Sequence, residues 1–191
     1  MKPRWLLLIF ISVLLGFISF YVIASERSSR GNLNVIENNG VSYAKVTEVI
    51  DGDTIKLETG ETVRYLEVNS PEIWKMENDS WVKTQECFSE EAKKANEELV
   101  LGKTVKLEKD VSDKDKYGRL LRYIWLCNSP SPERRGEGEV FPACQFINLD
   151  LVKTGFASSM IIKPDTKFAK EIIGAEKEAK DNNLGLWKNC Q

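Results

Sequence analysis

The sequence of 191 residues contains no histidine. This absence excludes imidazole as a general acid or base, the Ser–His and Cys–His nucleophile pairs, and most zinc sites. Any proton transfer would therefore use carboxylates, lysine, tyrosine or cysteine. The chain also lacks a basic excess, because 27 lysines and arginines stand against 29 aspartates and glutamates. Proteins that hold nucleic acid by overall charge are basic, so a nucleic acid would have to be held here by a local group of residues.

Cysteine is scarce, and its four positions match no close metal-binding spacing. Cys127 and Cys144 bracket a loop rich in proline, glycine and charge, so we favour a disulfide between them. Cys87 and Cys190 would then tie the first helix to the C-terminus. Four cysteines allow three pairings, and free buried thiols are the alternative. An even number of cysteines agrees with export to an oxidising compartment.

The longest apolar run lies at the N-terminus, where residues 5–24 follow two basic residues. A helix of about 20 apolar residues spans a bilayer, whereas the apolar region of a signal peptide is about 7–15 residues long. We favour an uncleaved transmembrane anchor at residues 1–24, and a cleaved signal peptide remains open. Residues 25–40 are predicted to be a flexible polar linker, and residues 41–191 a folded domain outside the cytoplasm.

The segment at residues 49–72, VIDGDTIKLETGETVRYLEVNSPE, combines strand patterns with chemically active side chains. The Asp-Gly-Asp run at residues 51–53 lies between alternating apolar positions, which predicts a turn joining two strands. A third strand is predicted over residues 62–68, and it ends at the Ser-Pro pair because proline cannot donate to a ladder. Folded in this way, Asp53 and residues 69–72 would lie side by side in an acidic pocket.

The rest of the chain is predicted to supply two more strands and three helices. Residues 73–88 are interpreted as an irregular stretch with exposed tryptophans at 74 and 81. Beyond it we predict a helix opened by Ser89 and ended by Gly102, strands over 103–109 and 119–126, and helices over 148–153 and 166–180. The order β-β-β-α-β-β-α-α predicts a small barrel with helices packed against it.

Three blocks in order, VIDGDTIKL, VRYLEVNSPE and DKYGR, carry a family resemblance, supported by INLDLVKTGFA and LGLW. From residue 41 to about 188 the chain resembles the staphylococcal nuclease (thermonuclease) family. The resemblance implies an α+β, mainly β fold, a five-stranded OB-fold barrel with three helices, here preceded by an N-terminal hydrophobic helix. It also implies an endonuclease that hydrolyses DNA, RNA or both with Ca²⁺ and leaves 3′-phosphate ends. We expect a monomer.

The resemblance assigns metal ligands residue by residue. Asp53 resembles the carboxylate that binds calcium, and Ser70 lies where a backbone carbonyl reaches the metal. Asn69 departs from the family pattern, which has aspartate there, so we expect weaker calcium binding because affinity follows ligand charge. Asp51 could assist through a water molecule. Glu67 could restore the missing charge if it shared a strand face with Asn69, although a solvated carboxylate is favoured there.

The resemblance also assigns the groups that act on the phosphate. Arg64 and Arg119 match the two arginines that hold the scissile phosphate, and planar guanidiniums suit this task because each makes paired hydrogen bonds to anionic oxygens. Glu72 matches the proposed general base, although glutamate with its ordinary pKa near 4.3 is a weak base. Tyr117 matches a tyrosine that contacts the substrate phosphate. Lys116 is predicted to contact substrate for a different reason, because a chain without a basic excess must hold a nucleic acid through local cations.

Two other classes of function remain open. One is a catalytically silent OB-fold module that binds single-stranded nucleic acid or another ligand at the cell surface. The other is a surface interaction domain in which the acidic pocket is incidental. The first predicts binding of single strands without cleavage, and the second predicts no calcium-dependent rise in melting temperature.

Overall fold

The computed structural model describes residues 40–78, 80–127 and 144–190. The predicted N-terminal anchor or signal peptide, and all but the last residue of the predicted linker, lie outside the described residues. Within these ranges no helix is both long enough and apolar enough to cross a membrane.

The described elements, in chain order, are ten strands and four helices. They are β1 (Val41–Asp51), β2 (Thr54–Leu57), β3 (Thr62–Tyr65), β4 (Val68–Asn69), β5 (Trp74–Glu77), β6 (Ser80–Lys83), α1 (Ser89–Val100), β7 (Thr104–Glu108), β8 (Leu120–Cys127), β9 (Cys144–Phe146), α2 (Ile147–Lys153), β10 (Ser158–Ser159), α3 (Ala169–Asp181) and α4 (Leu186–Asn189).

Five of these strands close into a barrel. They lie in the order β3-β2-β1-β7-β8, and a parallel pairing of β3 with β8 joins the two ends. Strand β1 takes part in both halves of the barrel, and register irregularities near Val46 and Val49 bend it. The predicted five-stranded OB-fold barrel is therefore confirmed, with α1, α2 and α3 as the three predicted helices.

The barrel interior is filled by the alternate apolar residues that the sequence pattern indicated. Val46, Ile55, Val63, Val105 and Ile124 are all 0% exposed. Burial of one such side chain contributes about 1.5–3 kcal/mol, so a closed ring of strands with this core is a rigid support. The turns and loops at the end of the barrel near residue 53 are held in place by it.

Two details of the predicted strands are wrong. The predicted strand at residues 62–68 is broken after Tyr65, because Glu67 has a left-handed backbone with φ 62°. The stretch at residues 73–88, predicted to be irregular, contains a hairpin in which Trp74 pairs with Lys83. Trp74 is 40% exposed, as expected, and the side chain of Trp81 lies outside the described part.

Both favoured disulfides are confirmed. Cys127 and Cys144 are joined at 2.02 Å across the paired strands β8 and β9, and Cys87 and Cys190 are joined at 2.07 Å. The second bond links residues 103 positions apart. The alternative of free buried thiols is therefore wrong.

Candidate active site

The site is built around a buried ion pair between Asp53 and Arg64. The turn after β1 delivers Asp53, and the pairing of β2 with β3 places Arg64 opposite Thr54. Asp53 Oδ2 lies 3.0 Å from Arg64 NH1, and the two side chains are 0% and 7% exposed. Water is thus largely excluded from both charges, which makes each strongly dependent on the other.

Carbonyl and amide oxygens fix the plane of the Arg64 guanidinium. NH1 donates to the carbonyls of Tyr65 (3.0 Å) and Val68 (2.9 Å), and NH2 donates to Asn69 Oδ1 at 3.2 Å. The left-handed turn at Glu67 folds the chain back so that residues 65 and 68 can face the same guanidinium. The break in the predicted strand therefore serves the site.

A close contact across Gly52 holds the acidic turn against its neighbours. A Cβ atom at residue 52 would lie 2.6 Å from Ser70 Cβ and 2.9 Å from Ala92 Cβ, so only glycine fits. With the chains this close, the Ser70 N–H donates to Asp53 Oδ2 at 2.6 Å, and the Asp53 N–H donates to Asp51 Oδ1 at 3.0 Å. Asp53 thus contacts Arg64, Ser70 and Asp51 together.

Negative charge accumulates in this buried turn. Burial, and then the neighbouring Asp53 carboxylate, hold the pKa of Asp51 well above its ordinary value. The Asp53 N–H and Arg64 oppose this shift without cancelling it. Two buried carboxylates thus face one guanidinium, and a cation would relieve the remaining repulsion.

Glu72 lies just beyond this turn and is half-buried. Burial raises the pKa of its carboxyl, and the charge of Asp53 raises it further, whereas Arg64 and Arg119 act in the opposite direction. A carboxylate with a raised pKa is a stronger base than free glutamate. The charges of Asp53, Arg64 and Arg119 all act on Glu72, so the structure brings these four predicted residues into one electrostatic neighbourhood.

The DKYGR turn presents Arg119 through Asp115. Asp115 Oδ1 accepts from the backbone N–H groups of Tyr117 and Arg119, and Oδ2 accepts from Arg119 Nε at 2.6 Å. Gly118 has φ 82°, a left-handed conformation that favours glycine. The Arg119 guanidinium lies 5.5 Å from the Tyr117 ring centre, and Lys116 Nζ lies 4.9 Å from it. Tyr117, 47% exposed, thus forms a surface beside Arg119.

Three residues of the site were missed by sequence reasoning. Asn96 on α1 is fully buried, donates to the Asp51 carbonyl at 3.2 Å and accepts from the Tyr65 hydroxyl at 2.9 Å. The sequence did indicate a buried polar role for Asn96, because this residue lies four positions after Ala92 on the apolar face of the helix. Asp115 holds Arg119 from four positions earlier in the DKYGR motif, so its signal was local and available. Glu86 contacts Glu72 across 14 positions, and no residue pattern indicates that contact.

Neither interpretation of Glu67 holds. Its carboxylate is 3% exposed, so it is not solvated. Its Oε1 atom accepts from the Tyr123 hydroxyl at 2.7 Å and from the Phe168 N–H at 3.0 Å. These partners turn the side chain toward β8 and the start of α3, so it does not restore the charge that Asn69 lacks.

The oxygen donors near the turn fit a hard cation such as calcium. Asp51, Asp53 and Asn69 supply only oxygen ligands, which is the chemistry that calcium prefers. The buried Ser70 hydroxyl has no hydrogen-bond partner among the described residues. Burial, and after it the charge of Asp53, raises the pKa of Asp51, and a bound cation would oppose this shift. Across the described ranges no group of three or more carboxylate or cysteine side chains is arranged to hold a metal, so amide and backbone oxygens would have to complete the set.

The family model and individual relatives that match this chain point to the same family. The family described as "Staphylococcal nuclease homologue" matches residues 62–189, which include Arg64, Glu72 and Arg119 but not the turn that carries Asp53. The chain is 34% identical over 143 residues to Endonuclease YncB of Bacillus subtilis (strain 168), covering 72% of this chain and 58% of that protein.

Two further relatives agree with this family. Thermonuclease of Staphylococcus intermedius is 31% identical over 152 residues, covering 78% of this chain and 77% of that protein. SPbeta prophage-derived endonuclease YokF of Bacillus subtilis (strain 168) is 33% identical over 143 residues, covering 72% of this chain. The chain spans only 41% of the length of YokF.

Proposed function

The chain belongs to the staphylococcal nuclease family, and from that premise we propose that it is a calcium-dependent endonuclease that hydrolyses DNA, RNA or both. The observation that carries this proposal is the shared electrostatic neighbourhood of Arg64, Arg119 and Glu72 beside the buried Asp53. Two cations of fixed geometry and one basic carboxylate are the groups that attack on an anionic diester requires.

The two arginines would bind the scissile phosphate. Arg64 is held rigid by Asp53 and by two backbone carbonyls, so little reorganisation is needed when charge develops on the phosphoryl oxygens. Arg119 is held through Nε by Asp115, and its side chain remains 23% exposed. Removal of one preorganised donor of this kind typically costs about 3–4 kcal/mol of transition-state stabilisation.

Glu72 would orient the attacking water and accept its proton. Burial and Asp53 raise the pKa of its carboxyl, which makes the carboxylate a stronger base for proton transfer. Exposed Tyr117 and Lys116 would contact the substrate strand next to the arginines. We expect the products to carry 3′-phosphate ends, as the resemblance to the family implies.

Asp53 and Asp51, together with the Asn69 amide oxygen and the Ser70 carbonyl, are the groups that would hold calcium. Calcium bound there would supply a Lewis acid for a phosphoryl oxygen. Asn69 Oδ1 already accepts from Arg64 at 3.2 Å, so its contact with a cation competes with its contact with the arginine. This competition supports the expectation of weaker calcium binding than an aspartate would give.

We place the activity outside the cytoplasm. The two disulfides support this location, because such bonds persist in oxidising compartments. Anchorage through residues 5–24, or release after cleavage of the leader, stays a prediction, and so does the monomeric state.

The experiment is a nuclease assay on the full-length chain with DNA and RNA. Glu72→Gln and chelation with EDTA should each remove most activity and leave the circular dichroism spectrum unchanged. Glu178→Gln, at an exposed position on α3, is the matched control and should cleave like wild type. If the wild-type chain binds single-stranded DNA but cuts nothing, the silent OB-fold module replaces the nuclease.

A further inference from the structure

Both backbone polar groups of Glu72 bind one residue, Glu86. The Glu72 N–H donates to Glu86 Oε2 at 2.9 Å, and the Glu72 carbonyl accepts from the Glu86 N–H at 2.9 Å. The next residue, Ile73, accepts from the Thr84 N–H at 2.8 Å. The backbone that carries Glu72 is therefore fixed by the chain that returns from the β5–β6 hairpin.

The Glu86 carboxylate is itself held in place. Its Oε1 atom pairs with Lys75 Nζ at 2.5 Å, while Oε2 accepts from Glu72. The hydrogen bond from Lys75, and then that from the Glu72 N–H, lower the pKa of Glu86. The carboxylate therefore stays ionised, and it remains an acceptor, throughout the neutral range.

The residue after Glu86 is covalently anchored. Cys87 is bonded to Cys190, which follows α4. The N–H of Leu186 at the start of α4 donates to the carbonyl of Gly155 at 2.8 Å, and Phe88 stacks on Phe156 with ring centres 5.5 Å apart. The disulfide thus ties the returning chain to the C-terminal segment, which is hydrogen-bonded to Gly155, and the aromatic contact packs the same chain against Phe156.

We propose that Glu86 is a positioning residue for Glu72 and that the Cys87–Cys190 bond anchors it. The proposal rests on the nuclease function assigned to Glu72. The other disulfide offers a contrast, because Cys127 and Cys144 lie opposite each other on strands that are already paired. Loss of that bond is therefore expected to leave the contacts between Glu72 and Glu86 unchanged.

Replacement of Glu86 separates positioning from general stability. Glu86→Ala removes the acceptor for the Glu72 N–H, and a displacement of about 1 Å at a reacting group costs up to about 100-fold in rate. We expect kcat to fall by about 10-fold to 100-fold with KM changed by less than about 3-fold. Glu86→Gln keeps an oxygen acceptor and should restore kcat to within about 3-fold of wild type.

Glu90→Ala is the matched control. Glu90 pairs with Lys83 of the same hairpin at 3.7 Å and is comparably exposed, so its loss removes a carboxylate without touching Glu72. Assays run well below the melting temperature of the least stable variant. If Glu86→Ala keeps the kcat of Glu90→Ala, the positioning role is wrong.

The anchor is tested with paired cysteine variants. Cys87→Ser/Cys190→Ser should lower kcat. Cys127→Ser/Cys144→Ser should stay within about 2-fold of wild type, because that bond joins two strands that are also held together by their own pairing. Equal kcat values for the two double variants would overturn the anchoring role.

Amide hydrogen exchange provides a readout that does not depend on cleavage. The exchange of the Glu72 N–H should be about 10-fold faster in Glu86→Ala than in Glu90→Ala, since its acceptor is gone. Unchanged exchange would refute the contact itself. A wild-type chain that cleaves no substrate, while Glu86→Ala still shows the faster exchange, would refute the nuclease function and leave the contact standing.

Discussion

Replacement of Arg64 by alanine strips a fully buried carboxylate of its cation. Asp53 is 0% exposed and lies 3.0 Å from Arg64 NH1, so the guanidinium, rather than bulk water, balances its charge. Removal of one partner of such a pair typically destabilises a protein by about 3–5 kcal/mol, because it leaves an uncompensated buried charge. At about 2–4 °C per kcal/mol for a domain of this size, the melting temperature should fall by roughly 6–20 °C.

Arg122 supplies a control of the same residue type on the neighbouring strand. Its side chain is 8% exposed, but its partner Asp113 is 50% exposed. Asp113 is rehydrated when the arginine is lost, so Arg122→Ala should cost about 1–2 kcal/mol through lost hydrogen bonds and packing. The difference between the two variants in lost free energy of unfolding therefore measures the effect of burying Asp53.

The assay is urea unfolding followed by tryptophan fluorescence, in EDTA and again with calcium. The free energy of unfolding of each variant is calculated from its urea midpoint, with the same dependence on urea concentration used for all variants. Added calcium should reduce the cost of Arg64→Ala, because a cation beside Asp53 replaces part of the lost charge. It should not change the cost of Arg122→Ala. A cost for Arg64→Ala no greater than that for Arg122→Ala would refute the dependence of Asp53 on its arginine.

Two predictions concern positions away from the reacting groups. Burial raises the pKa of Glu67. Ionised Glu67 therefore destabilises the fold at pH values above the pKa of an unfolded glutamate, but not below it. Glu67→Gln should raise the melting temperature relative to wild type more at about pH 8 than at about pH 4. Equal shifts at the two pH values would contradict this. Gly174 lies in α3, and a Cβ added there would meet open space, so Gly174→Ala should stabilise by about 0.5–1 kcal/mol. Gly155→Ala is its control and should destabilise, because the added Cβ would lie 2.4 Å from the Leu184 carbonyl oxygen. Urea unfolding of both glycine variants measures the two changes, and a loss of stability in Gly174→Ala would contradict the first.

Much of the barrel could be predicted because its signals are local. The Asp-Gly-Asp turn, the alternating apolar residues on either side of it, and the Ser-Pro stop each act within a few residues. The ordered motifs then indicated that Asp53, Arg64, Glu72 and Arg119 converge. Their separations in sequence could not have shown this alone, because the convergence depends on closure of the barrel.

Most of the missed features depend on partners that are distant in sequence. The left-handed turn at Glu67 accompanies hydrogen bonds from Tyr123 and Phe168, 56 and 101 positions away. No pattern near residue 67 reveals those partners. The contacts of Glu86 with Glu72 likewise require the hairpin between them, whose short strands carry only a weak alternating pattern.

The most direct test of the proposed function is cleavage of DNA and RNA by the wild-type chain while calcium is titrated, with the product ends mapped. We predict cleavage that rises with calcium to saturation, disappears in EDTA and leaves 3′-phosphate ends. Absence of cleavage at every calcium concentration, from a chain shown to be folded, would contradict the proposal.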